Sequence, residues 1–253
     1  MPQIPASDMS SVSSLLTQLA YCSSSFARIG LDFHSALQPI IEDAVFEIVH
    51  RGFREAKEAL ELSASEARKA GKTPSEWLIV GGVPAIPSSA VSTAVHVPPA
   101  YVVSYPPLAI FTNGILSTLN ALRLLPVAGL APRLERALIT ELRAVSSLLL
   151  AVVRDSLSGS GTGSRRSLDE SDKVKDTKVS LSVGRVLWGR SGVEGYLVEA
   201  LRAGVYRKGS GTGDDAWWRD GREDWVRWSK GVDPLFEIDP PEEVEVVAGD
   251  HGE

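Results

Sequence analysis

The chain has 253 residues, of which 43% are hydrophobic and 23% charged. That is enough apolar material for a packed core in one or two ordinary domains and too much for wholesale disorder. A net charge of -6 argues against a dedicated nucleic-acid surface, and the single cysteine, Cys22, excludes an intrachain disulfide framework and a multi-cysteine zinc site. The same usage fits a reducing compartment. The opening MPQIPASDMSSV has neither the basic nor the apolar region of a secretory signal.

Residues 8–70 read as long helix, with Asp8 or Ser10 able to cap its start. Leu15, Leu19, Cys22, Phe26, Ile29, Phe33, Leu37, Ile40, Ala44 and Ile48 step at three and four, which predicts one buried stripe with Cys22 on it as a small hydrophobe. Pro39 suits the first turn of a second helix, with a kink or short break before it. The pairs Glu47–Arg51, Arg51–Glu55, Arg54–Glu58 and Lys57–Glu61 mark a solvated face. Arg68 and Lys69, then Gly71, then Pro74, are a stop signal. A helix of about 33 residues spans roughly 50 Å at 1.5 Å per residue, the length of a rod.

Residues 71–104 have no helical period and many Pro, Gly and Ser, which predicts an extended connector with Trp77, Leu78 and Ile79 tucked onto the helices. Tyr105–Pro126 reads YPPLAIFTNGILSTLNALRLLP. Pro106 and Pro107 open a helix, because a first turn has no use for the missing N–H. Leu108, Phe111, Ile115, Leu119 and Leu122 form its apolar stripe. Asn113, Asn120 and Arg123 form a second, polar stripe, which a helix with only a core face to bury does not need. A second helix over 132–154 carries Leu134, Leu138, Leu142, Val145, Leu149 and Val152. The short turn around Pro126 and Gly129 predicts antiparallel neighbours, with Glu141 level with Asn120 for an amide–carboxylate bond.

Residues 157–180 are of low complexity and predict a flexible polar insertion. Helix resumes over 181–206 and breaks near Arg190, between Gly189 and Gly192. The chain thus divides into a helical rod region (1–156), the insertion (157–180), a further helix (181–208), and a Trp-rich segment with an acidic tail (209–253). If 215–229 is helical, Trp218, Trp225 and Trp228 share one side. They serve either as a docking face for a partner or bilayer, or as packing against the body. The Gly/Ser boundary at 209 predicts that deletion of 209–253 leaves the body folded, and residues 233–253, with eight acids and no Lys or Arg, predict little fixed structure.

No reading as an enzyme, cofactor protein or metal protein survives. GSGTGS at 159–164 follows helix, lacks a Lys-Ser/Thr after it, and recurs as GSGTG at 209–213, so it is a linker and not a phosphate loop. His34, His50, His96 and His251 have no ligand spacing. GRSGVEG at 189–195 is not a nucleophile elbow. From Trp77 to Leu122 there is no Asp, Glu, Lys or Arg, but six prolines divide the stretch, so no apolar run reaches the roughly 20 residues of a membrane span.

The block YCSSSFARIGLDFHSALQPI at 21–40, with Phe26, Arg28, Gly30, Asp32, Phe33, Leu37 and Pro39, and the YPPLA…N…N-x-L-R…P block at 105–126 follow one another in order. Together they resemble the C-terminal region of the subunit 8 family of the conserved oligomeric Golgi (COG) complex. The resemblance implies an all-α, elongated helical bundle or rod of the CATCHR tether type, without enzymatic activity, cofactor or metal. It implies peripheral attachment, through the complex, to the cytosolic face of the Golgi membrane, a cytoplasmic pool, and retrograde intra-Golgi transport. COG subunits 1, 5, 6 and 7 are the partners so implied, with SNARE or Rab proteins beyond them and no nucleic acid. Members of the family are much longer, so the resemblance also implies a fragment or a truncated gene model. A rival reading is a peripheral membrane protein that binds lipid through its Trp-rich segment, although the four basic and five acidic residues of 214–230 are a poor match for anionic lipid.

Overall fold

A helix of 36 residues, α2 (His34–Lys69), organises the chain. At 1.5 Å per residue it is about 54 Å long. The computed structural model describes residues 6–28, 34–84, 98–125, 127–157, 170–188, 192–206 and 217–232. Among the described residues there is no strand, and the all-α class expected from the periodicities is what forms. Before α2 comes α1 (Ala6–Ala27). After it come the short α3 (Pro74–Trp77), a 3-10 turn (Ala100–Ser104), α4 (Pro106–Leu122), α5 (Ala131–Leu157), α6 (Glu170–Trp188), α7 (Val193–Glu199) running on into a π-helical turn (Ala200–Val205), and α8 (Trp217–Val232).

The core stripe of α2 is Val45, Val49, Phe53, Ala56, Leu60, Ala64 and Ala67, all buried at spacings of three and four. This corrects the stripe expected through Leu37, Ile40, Ala44 and Ile48, of which Ile40 and Ala44 are exposed and Leu37 and Ile48 half-buried, because a period of three and four fits more than one line along the helix and packing selects among them. Its end is a Schellman motif. Gly71 takes the left-handed φ of +65°, its N–H donates to the Arg68 carbonyl at 3.1 Å, and the Lys72 N–H donates to the Ala67 carbonyl at 3.0 Å. The next helix starts at once: Pro74 is its first residue, and the Thr73 N–H donates to Glu76 Oε2 at 2.8 Å.

Both α4 and α5 lie along α2. The ion pairs Asp43–Arg133, Lys57–Glu141 and Arg68–Asp155 ascend both helices together, so α2 and α5 run parallel. The first turn of α4 meets the end of α2, and its middle meets Ala56, so α4 runs antiparallel to both. The expected direction of the α4–α5 hairpin is therefore present, but the main partner of each helix is α2. The remaining elements close the other side, with α6, α7 and α8 against α5, and α7 with its π-helical turn against α4.

Several local expectations are corrected. Pro39 sits as the sixth residue of α2, not in the first turn, and the helix starts at His34, ahead of it. A proline there forfeits one backbone bond, to the carbonyl four residues back, and its exposed ring meets no neighbour in the core. The 71–104 connector includes α3 and the 3-10 turn, with Trp77, Leu78 and Ile79 buried. The polar stretch 157–180 is helical from Glu170, and Asp176 explains part of that by accepting from the Ser75 N–H at 3.0 Å. Residues 158–169, Arg190 and 233–253 lie outside the described residues.

At the α2–α4 crossing, a Cβ added to Gly114 would lie 2.8 Å from the Ala56 Cβ. Neither group can swing away. Gly114→Ala should gain about 1 kcal/mol of helix propensity and lose about 1–3 kcal/mol to overpacking, for a net destabilisation. In an Ala56→Gly background the same exchange should stabilise, because the space is then free. Urea melts of the four chains decide it, and an effect of Gly114→Ala with one sign in both backgrounds would rule out the steric account.

Candidate interaction surface

The polar groups inside the bundle link its elements. On α5, Glu141 is buried and meets α2, with Lys57 Nζ 2.8 Å from Oε2 and His50 Nε2 3.5 Å from Oε1. The hydrogen bond to Glu141 raises the pKa of the Lys57 ammonium against the opposing cost of burial. This corrects the expected Asn120–Glu141 bond. Asn120 faces solvent, and the carboxylate takes a cation from α2, since a buried charge needs an opposite one. The Tyr105 hydroxyl donates to Ser182 Oγ at 2.8 Å, and Ser182 donates to the Val179 carbonyl at 2.7 Å. Among the described residues no three His, Cys, Asp or Glu side chains are grouped to hold a metal. No described helix is long and apolar enough to cross a membrane.

The tryptophan segment is tied to this interior. Trp225 is 1% exposed, and its indole N–H donates to Ser146 Oγ on α5 at 2.8 Å. Trp188, at the end of α6, donates to the same oxygen at 2.9 Å. One serine hydroxyl, with two acceptor positions, thus holds two helices to a third. The Trp225 ring fills the slot left by Gly184, where a Cβ would come within 2.8 Å of it. Trp228 is half-buried and stacks edge-on to Trp225 at 5.6 Å. Of the two readings open for these rings, Trp225 takes the packing one. The side chain of Trp218 lies outside the described residues.

What faces outward is informative on α4 and α1. Pro107 is buried and Pro106 half-buried, and both line an open hollow of about 370 Å³ with Ala67, Ala70, Trp77 and Ile110. From this hollow the outer face of α4 runs through Ile110, Asn113, Ser117 and Asn120, all exposed, and past the end of the helix Arg123 and Leu124 are exposed as well. No charged residue occurs on α4 from Pro106 to Leu122. The outer face of α2 is studded with charges by contrast, among them Arg54, Glu58 and Glu61. An exposed helix face without charge has the composition of the centre of a protein–protein interface, where charged residues are depleted.

On α1 the expected burial is not found. Leu15 is 54% exposed and Phe26 44%, Cys22 is exposed and Leu19 half-buried, so the apolar stripe of α1 is only partly covered. Among the described elements only α2 and α4 make substantial contact with α1, and periodicity shows that a stripe exists without showing what covers it. Arg28 is exposed at its end, while Asp32 and Phe33 lie outside the described residues. Sequence reasoning passed over Gly114, Ser146 and Gly184. Gly114 and Gly184 interrupt helical periods, and a glycine inside a helix signals close approach.

Among the described residues these surfaces define a helical body that presents exposed faces. Residues 3–58, which include α1 and the first two-thirds of α2, match the sequence model of the Dor1-like family. Three relatives carry the name conserved oligomeric Golgi complex subunit 8. The Bos taurus protein is 33% identical over 147 residues, 57% of this chain and 23% of the relative. The Homo sapiens protein is 32% identical over 144 residues, 56% of this chain and 22% of the relative. The Mus musculus protein is 30% identical over 149 residues, again 56% and 22%. The chain is thus similar to COG subunit 8 over more than half its length, as the blocks at 21–40 and 105–126 imply. It spans less than a quarter of the length of these relatives. No solved structure matches it significantly.

Two predictions follow from the buried groups. Trp225→Ala should cost about 3–5 kcal/mol and lower the melting temperature by on the order of 10 °C, and deletion of 209–253 should do at least as much. This replaces the expectation of a dispensable segment, and a fall of less than about 2 °C would show that α8 adds little to the core. The second concerns Glu194 in α7, which is 1% exposed with no hydrogen-bond donor at either oxygen among the described residues. Burial pushes its carboxyl well above the usual range, against a smaller pull from the Arg143 charge. A folded pKa above the unfolded value near 4.5 contributes stability that is full below that pH and is lost as pH rises through the folded value. Glu194→Gln should flatten the thermal melts over that window and exceed the parent on its alkaline side. Parallel pH profiles would mean the carboxyl is ionised in the fold.

Proposed function

We propose that the chain is a non-enzymatic subunit of a Golgi vesicle-tethering complex and acts through protein–protein contacts. The similarity to COG subunit 8 over 57% of the chain carries this reading. The uncharged outer face of α4 and the partly covered apolar stripe of α1 support it, since each is a surface a neighbouring subunit can bury. Within such a complex the chain serves retrograde intra-Golgi transport on the cytosolic face of the membrane, held there peripherally, with COG subunits 1, 5, 6 and 7 as neighbours. SNARE or Rab proteins are its more distant contacts. Phe26, Arg28, Asp32 and Phe33 at the α1 end, and Pro106, Pro107, Asn113, Asn120 and Arg123 along α4, are the proposed contact residues. Direct lipid binding through the tryptophans finds no support in Trp225, which is spent on the core.

Affinity purification from the native cell, with identification of the bound chains, tests the reading. Recovery of other tethering subunits is the expected result, and their consistent absence would rule it out. The α4 face has a sharper test. Asn120 and Arg123 are exposed, so exchange of both for Ala should shift stability by no more than about 0.5 kcal/mol. Recovery of partner subunits should fall severalfold. Unchanged recovery with an unchanged melt would show that the polar stripe is incidental.

A further inference from the structure

The solvent face of α5 carries arginines in a line. Arg136, Arg143 and Arg154 are all exposed. Separations of seven and eleven residues turn the helix to within about 20° of whole turns, so the three stand on one side of it. They are about 10 and 16 Å apart along the axis. Thr140 and Ser147, also exposed, lie between them. The acids of α5 are engaged elsewhere: Glu135 with Arg202, Glu141 with Lys57, and Asp155 with Arg68. The Arg136 Nε–H also donates to the Pro132 carbonyl at 3.3 Å, which leaves the terminal nitrogens of its fork to the outside. A straight face of guanidinium groups suits an anionic chain, because the fork of an arginine takes both oxygens of a carboxylate.

The sequence contains such a chain. Residues 233–253 hold eight acidic residues and neither Lys nor Arg. They follow directly on α8, which is pinned beside this face of α5 by the bond from Trp225 to Ser146, the neighbour of Ser147. A segment of 21 residues extends to roughly 70 Å, and Arg136 to Arg154 is about 27 Å along the helix. We propose that the acidic segment 233–253 docks along this face of α5 on Arg136 and Arg154, with Arg143, whose charge already bears on Glu194, adding to the positive field between them. Exposed ion pairs are individually weak, but a tether this short gives an effective concentration in the millimolar range. The docked segment would then compete with any anionic partner for the same face.

The 253-residue chain, labelled with ¹⁵N and carrying a nitroxide at Asp250→Cys in a Cys22→Ser background, tests this. Amides of residues 136–154 should lose at least about half their intensity to paramagnetic broadening, and recover it in about 0.5 M salt, where exposed charges are screened. Glu242→Gln, Glu243→Gln and Glu245→Gln together, which leave the helical body untouched, should weaken the broadening. Arg136→Glu with Arg154→Glu should abolish it, and Glu242→Lys, Glu243→Lys and Glu245→Lys added to that pair should restore it. Arg143 stays in place because its charge also bears on Glu194. Broadening centred on other elements, or indifferent to these charge changes, overturns the proposal. So does broadening of a nitroxide-free ¹⁵N-labelled chain mixed with a chain that carries the nitroxide and no ¹⁵N, which would place the contact between copies.

Discussion

At the crossing of α2 and α4 the Gly114 backbone lies so near Ala56 that no side chain fits between them. The close approach lets α4 lay its apolar stripe along α2, with Leu108, Phe111, Ile115, Leu119 and Leu122 all buried. It also fixes what α4 shows to solvent. Once that stripe is committed to the core, Asn113, Asn120 and Arg123 must point outward. Beside α4, α2 also receives α5, and the half-buried Lys57 joins them by pairing with the buried Glu141. Such a pair adds little net stability over a well-packed apolar pair, but leaving either charge alone would be costly, so it specifies the pairing of these two helices.

The remaining polar groups of the interior act in the same way. Ser146 accepts from two indoles and thereby fastens α6 and α8 to α5. Tyr105 reaches from the start of α4 to Ser182 on α6. These residue types often carry chemistry elsewhere, yet each here is paired with another structural element. Glu194 differs, being buried with no hydrogen-bond donor among the described residues, and burial raises the pKa of its carboxyl.

The surfaces left over are of three kinds. The outer face of α4 is uncharged, the stripe of α1 is apolar and only partly covered, and the outer line of α5 is basic. Three surfaces of different character on one small bundle suit a chain that meets more than one neighbour. That fits the similarity to a subunit of a multi-subunit complex, of whose length this chain spans less than a quarter.

The helices themselves were legible in the sequence, because spacings of three and four, the prolines at 106 and 107 and the stop signal at Arg68, Lys69 and Gly71 are local properties of the chain. So was the identity of most of the core on α4 and α5, but not on α2, where Ile40 and Ala44 of the expected stripe are exposed and Val45, Val49 and Phe53 are buried instead. The sequence also determined the resemblance, through two ordered blocks. It did not determine which stripes find partners. Leu15 and Phe26 obey the same period as Val49 and Phe53, yet the first two are exposed and the second two buried. Nor did it determine that Glu141 would choose Lys57 over Asn120, or that Trp225 would enter the core. A helical period states only that one side is apolar. Whether that side is covered depends on contacts between residues tens of positions apart, such as Trp225 with Ser146 and Gly114 with Ala56, which exist only once the helices are assembled.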